Sequence, residues 1–102
     1  MAKDVRALPK GHLHYHLELC MRQSTLDALC NQHGVDRAAT QLGTLPRRTA
    51  NYDRGGGFGS FDEFSECAGL VLSLVRSADD LSRIILEMAA DARADGVAYI
   101  EP

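Results

Sequence analysis

Cysteine is scarce and odd in number, present only as Cys20, Cys30 and Cys67. No two of them have C-x-x-C spacing, and three thiols cannot close into a disulfide framework. Three reduced, mostly buried thiols are therefore expected. An excess of positive charge is also missing. The 11 Lys and Arg face 14 Asp and Glu, a formal net charge of −3, which excludes the strongly basic face a nucleic-acid binder needs. Long hydrophobic runs are absent. The longest, from Gly69 to Val75, is interrupted by Ser73 and is far too short to cross a bilayer. The first ten residues are charged and contain no apolar stretch, so no secretory signal is read there. Together with the thiols, this gives the expectation of a cytoplasmic protein with neither a membrane nor a nucleic acid as partner. The glycines from Gly55 to Gly59 lack the Gly-Lys-Ser/Thr ending and the preceding strand of a phosphate loop, and read as a flexible connection.

What remains is an ordinary folding composition. Leu, Ile, Val and Phe make up 24 of the 102 residues, above the level at which chains stay disordered. The segment from Gly11 to Leu17 alternates strictly, His12, His14 and His16 on one side and Leu13, Tyr15 and Leu17 on the other. Period two predicts a strand. Ser24 with Asp27 resembles a capping box, predicting a helix over Thr25 to His33 that stops at Gly34. Asp36 to Gly59 carries no sustained period, and with Arg47, Arg48 and Arg54 reads as a long, mobile, solvated connection. Ser60 with Glu63 opens a second helix bearing Phe61, Phe64, Cys67, Val71 and Val75. Ser77 with Asp80 opens a third, with Leu81, Ile84, Ile85 and Met88 on its buried stripe. Gly96 ends it, and Val97 to Glu101 reads as a second strand. Two strands separated by helices predict a parallel pair. Such a pair needs further strands and both faces covered, so residues 1–102 read as the N-terminal fragment of a larger α/β domain.

The alternating histidines are the sharpest chemical signal. Side chains at i and i+2 on a strand project the same way, and imidazole is a good ligand for zinc and related metals. The same pattern is also met by histidines on a solvated strand face. Cys20, Cys30, His33 and Cys67 are the in-chain groups that can complete a closed site, but their spacing matches no zinc-finger pattern. Phe58, Phe61 and Phe64 can line an apolar pocket, although Phe61 and Phe64 at helical spacing more simply read as core. Glu18, two residues past His16, can orient a ligand, bond a substrate hydroxyl or sit in solvent.

Leu8-Pro9-Lys10, His12-Leu13-His14-Tyr15-His16-Leu17-Glu18, Met21-Arg22 and Ser24-Thr25-Leu26, with Gly96-Val97-Ala98-Tyr99-Ile100-Glu101 further on, resemble the start of the adenosine deaminase family of metal-dependent amidohydrolases. The resemblance implies a (β/α)₈ barrel of about 250 residues with its site at the C-terminal strand ends, of which this chain supplies the first two parallel strands. It implies Zn²⁺ held by His14 and His16, with the remaining ligands and a general acid/base Glu beyond residue 102. It also implies hydrolytic deamination of adenosine or a related 6-aminopurine to inosine and ammonia. His16 and Glu18 would face the substrate, a purine nucleoside or base. His12 is not a ligand position in the family. Glu18 and Leu19 stand where the family often has Asp and Gly, which bears on sugar recognition and leaves adenine or another aminopurine as an alternative substrate. The resemblance further implies that the fragment alone is inactive and prone to self-association. Two other readings compete with it: a non-catalytic remnant acting as an interaction module, and a different amidohydrolase using the same first-strand histidines.

Overall fold

A computed structural model describes residues 4–13, 16–45 and 57–102, apart from the side chain of Glu18. His14, Tyr15, Arg47, Arg48, Arg54, Gly55 and Gly56 lie outside the described residues. Among the described residues, two strands and three α-helices follow the predicted order: β1 (Lys10–His12), α1 (Gln23–Gln32), α2 (Phe61–Ser73), α3 (Ala78–Ala94) and β2 (Val97–Ile100). The strands pair in parallel, Lys10 opposite Val97, Gly11 opposite Tyr99 and His12 opposite Ile100. Ala98 is the extra residue at the register shift between Lys10 and Gly11, a bulge that restores pairing further up the ladder.

Local chemistry accounts for most boundaries. Ser60 and Ser77 cap α2 and α3 by accepting from the amides of Glu63 and Asp80, both at 3.1 Å. The reciprocal carboxylates reach one residue further back than a capping box requires, Glu63 to the Gly59 amide and Asp80 to the Arg76 amide. α1 ends in a Schellman motif. Gly34 takes φ +69°, the Val35 amide donates to the Cys30 carbonyl at 2.8 Å, and Val35 packs on the core.

The start of α1 differs from the Ser24/Asp27 prediction. The helix begins at Gln23 with Arg22 as its N-cap and no side-chain cap bond. Asp27 is engaged elsewhere, accepting from Arg37 Nη1 at 2.7 Å, so a tertiary ion pair replaces the local box. Arg37 belongs to the stretch predicted as a mobile connection, and that expectation is corrected for its first part. Asp36 caps a 3-10 turn, Arg37–Ala39, and Thr40 caps another, Gln41–Thr44. Leu42 from the second is 1% exposed.

The main core lies among the helices. Leu26, Leu29 and Cys30 of α1 meet Leu42 and, from the α2 side, Cys67, Val71 and Leu74. α3 buries Ile84, Met88 and Ala92. At the other end of the fold, a 3-10 turn, Val5–Ala7, lies against the α3–β2 junction. Gly96 has φ +77°, and a Cβ there would stand 2.2 Å from the Arg6 carbonyl oxygen and 2.9 Å from that of Leu8. Only glycine satisfies both the backbone and the space. Lys10 joins the same junction through its amide, which donates to the Gly96 carbonyl at 3.1 Å, and its ammonium, 3.6 Å from Asp95.

Candidate active site

The alternation predicts a strand through Leu17; among the described residues the ladder ends at His12. β2 supplies partners only as far as Ile100, and one further bond, Glu101 amide to His12 carbonyl at 2.8 Å, closes the pair. His16 is extended (φ −82°, ψ 108°) and heads a 3-10 turn, Leu17–Cys20. Its carbonyl accepts from the Leu19 amide at 3.1 Å, and its side chain is exposed. Glu18 contributes its backbone to this turn. Cys20 closes it, its thiol donating to the Leu17 carbonyl at 2.9 Å.

The other donors named from the sequence do not gather around His16. Cys30 and Cys67 are buried in the helical core, where burial pushes the Cys30 thiol pKa up. His33 faces Asp80 at 3.4 Å. No cysteine is in a disulfide, and among the described residues no group of three or more His, Cys, Asp or Glu is placed to hold a metal ion. An exposed imidazole on extended backbone at the head of a turn still has the donor chemistry a metal needs. The described residues thus fit part of a shared ligand set and do not form a complete one.

Beside the turn lies an apolar cavity of about 140 Å³, lined among others by Leu19, Met21, Phe58, Phe64, Cys67 and Val71. Phe58 and Phe64 meet edge to face, centroids 5.3 Å apart at 77°. Phe61, expected in the pocket or core, is instead 77% exposed. It is the first residue of α2, and a side chain there leans back past the helix end. On β2, Tyr99 donates to Glu101 at 2.6 Å, and that bond to a carboxylate raises the phenol's pKa.

Sequence reasoning placed Arg22 in a motif but gave it no role. Its guanidinium grips α3. Nε and Nη2 donate to the Asp91 carboxylate at 3.0 and 2.7 Å, and Nη1 reaches Glu87 at 3.5 Å. The buried Thr25 hydroxyl also donates to Glu87. Arg22 holds the Asp91 carboxyl below the usual carboxylate range. These partners lie 65 and 69 residues away, so no spacing rule finds them.

A parallel strand pair linked through helices, with His16 heading the first described turn after β1, defines an α/β chain. A family profile described as adenosine deaminase matches residues 9–102, and the chain belongs to that family. It is 34% identical over 98% of its length to a Streptomyces virginiae protein named "Putative adenosine/adenine deaminase", covering 28% of that protein. It is 32% identical over 96% to an adenosine deaminase of Vibrio atlanticus, covering 28% of it. An aminodeoxyfutalosine deaminase of Acidothermus cellulolyticus is 29% identical over 96% of the chain, with 26% of that protein covered. The chain thus spans less than a third of the length of these relatives. No solved structure matches it significantly. Among the described residues, no helix is long and apolar enough to cross a membrane.

Proposed function

We propose that residues 1–102 supply the first two strands of a (β/α)₈ barrel that hydrolyses the 6-amino group of a purine. In this reaction, water and adenosine give inosine and ammonia. The observation that carries the reading is the family match across 9–102, which includes the alternating histidines. His14 and His16 would be two ligands of a zinc ion, which when bound supplies a water whose pKa is lowered toward neutrality. His16 stands exposed at the head of its turn, open to groups from elsewhere in the barrel. Glu18 follows on the same turn and would bond a sugar hydroxyl in this reading. Leu19, on the cavity wall, bounds the substrate on its apolar side. The general acid/base is assigned to a carboxylate beyond residue 102. The reading takes the ligand as a small purine nucleoside or base and the location as cytoplasmic.

The test uses the full chain as it is expressed, wild type beside His14→Ala/His16→Ala, near pH 7.5 where imidazole is neutral and free to ligate. Bound zinc is counted by elemental analysis, and deamination is followed by the ultraviolet change as a 6-aminopurine becomes a 6-oxopurine. We expect the wild type to hold more zinc than the double variant, and any turnover to vanish with the two imidazoles. Equal zinc in both proteins would sink the assignment of these ligands.

A further inference from the structure

We infer that Arg22 is a positioning residue for the candidate site: it clamps the Leu17–Cys20 turn to α3 and thereby sets where His16 stands. The inference rests on the proposed role of His16 and adds to it a device that the alternating motif does not contain.

His16 heads the turn without a side-chain cap bond, and Arg22 heads α1 without one. Two successive elements therefore begin uncapped, joined by the extended residues Met21 and Arg22. Local hydrogen bonds shape the turn internally, through the Leu19 amide to His16 and the Cys20 thiol to Leu17. Leu19 and Met21 seat it on its α2 side, where both line the apolar cavity and Met21 packs on the core. A second hold comes from α3. The Arg22 fork chelates Asp91 and touches Glu87, and Glu87 in turn accepts from Thr25, which is 0% exposed. A planar guanidinium making two parallel bonds fixes orientation as well as distance, which an ammonium cannot do. Exposed ion pairs contribute little to global stability, so stability alone gives little reason for this network, which Arg83 joins at Glu87. Its mechanical effect is specific: one tight turn separates Arg22 from His16, so a shift at the guanidinium reaches the imidazole.

The experiment uses the full chain and three variants, Arg22→Ala, Arg22→Lys and Asp91→Asn. Three quantities are read: the thermal midpoint, the rate at which a maleimide labels Cys20, and the affinity for Co²⁺ from its ligand-field bands. Cys30 and Cys67 lie in the core, so native-state labelling reports the turn. We expect Arg22→Ala to leave the midpoint nearly unchanged, label Cys20 severalfold faster, and bind Co²⁺ about tenfold more weakly with shifted bands, the size seen when supporting partners of metal ligands are removed. Arg22→Lys should fall between Arg22→Ala and wild type, restoring charge without the fork. Asp91→Asn should follow Arg22→Ala, and serves in its place if that variant does not fold. Labelling and Co²⁺ affinity that match wild type in Arg22→Ala overturn the inference, as does full rescue by lysine. A wild type that binds no Co²⁺ overturns the metal reading itself, and is told apart because the labelling arm still resolves the clamp.

Discussion

The helical half of this molecule and its strand pair are built on different principles. α1, α2 with its C-cap Leu74, and the Gln41–Thr44 turn share seven side chains that are each 5% exposed or less, so burial of apolar surface holds them. Neither strand contains a buried residue. β1 and β2 stay together through backbone pairing, the close approach of Arg6 and Leu8 to Gly96, and the Lys10–Asp95 ion pair. The histidines that point to function follow the less buried of the two halves. In the proposed reading, stability and chemistry are placed in separate parts of the chain, with α3 leading into β2 and gripping Arg22.

Leu29→Ala attacks the helical half at its centre. Leu29 is 1% exposed, and truncation there is expected to cost about 3 kcal/mol of unfolding free energy by urea titration. A loss no larger than that of a surface change would break the comparison. Gly96→Ala attacks the other half. The new Cβ meets the Arg6 carbonyl at 2.2 Å with φ at +77°, and we expect roughly 2 kcal/mol of strain. Hydrogen exchange should rise at the Lys10 and Glu101 amides while Leu29 keeps its protection. Equal loss in both places would show that the two halves open together. Ser77→Ala removes the cap of α3 and should cost about 1 kcal/mol, read from the chemical denaturation midpoint. The smallest effect concerns acid. The Arg76 amide, then His33 and Ser77, hold the Asp80 carboxyl below the ordinary carboxylate range against a burial effect that raises it. A group whose pKa is lowered by folding stabilises the fold above its unfolded pKa, and that stabilisation is lost as pH falls through the folded value. Asp80→Asn should therefore flatten the acid side of the stability curve and leave the neutral side parallel to wild type.

The sequence was legible where one turn of chain contained the whole cause. Gly34 and Gly96 as stops and Ser60 and Ser77 as starts follow from neighbours, and the parallel pairing was legible for a different reason, the order of strands and helices along the chain. Legibility failed where the cause lay elsewhere in the chain. The start of α1 moved because Arg37 takes Asp27. β1 is shorter than its alternation because its ladder ends opposite Ile100. Leu42 was hidden in a stretch without period, although Asp36 and Thr40 are good caps for short turns. At the site, alternation marked His12, His14 and His16 alike; only the family resemblance narrowed the ligand candidates to His14 and His16, and Glu18 stood out only by proximity. Arg22 was invisible as a clamp because its partners on α3 have no sequence relation to it.

The contact at Gly96 also reaches into the gene. Every single-base change at the first or second position of a glycine codon replaces glycine or ends the chain, and every replacement residue brings at least a Cβ into the space filled by the Arg6 and Leu8 carbonyls. Drift at this codon is confined to its silent third base unless the N-terminal turn changes with it. Residues 5–8 and residue 96 are therefore expected to vary as a linked pair, although nearly the whole chain lies between them.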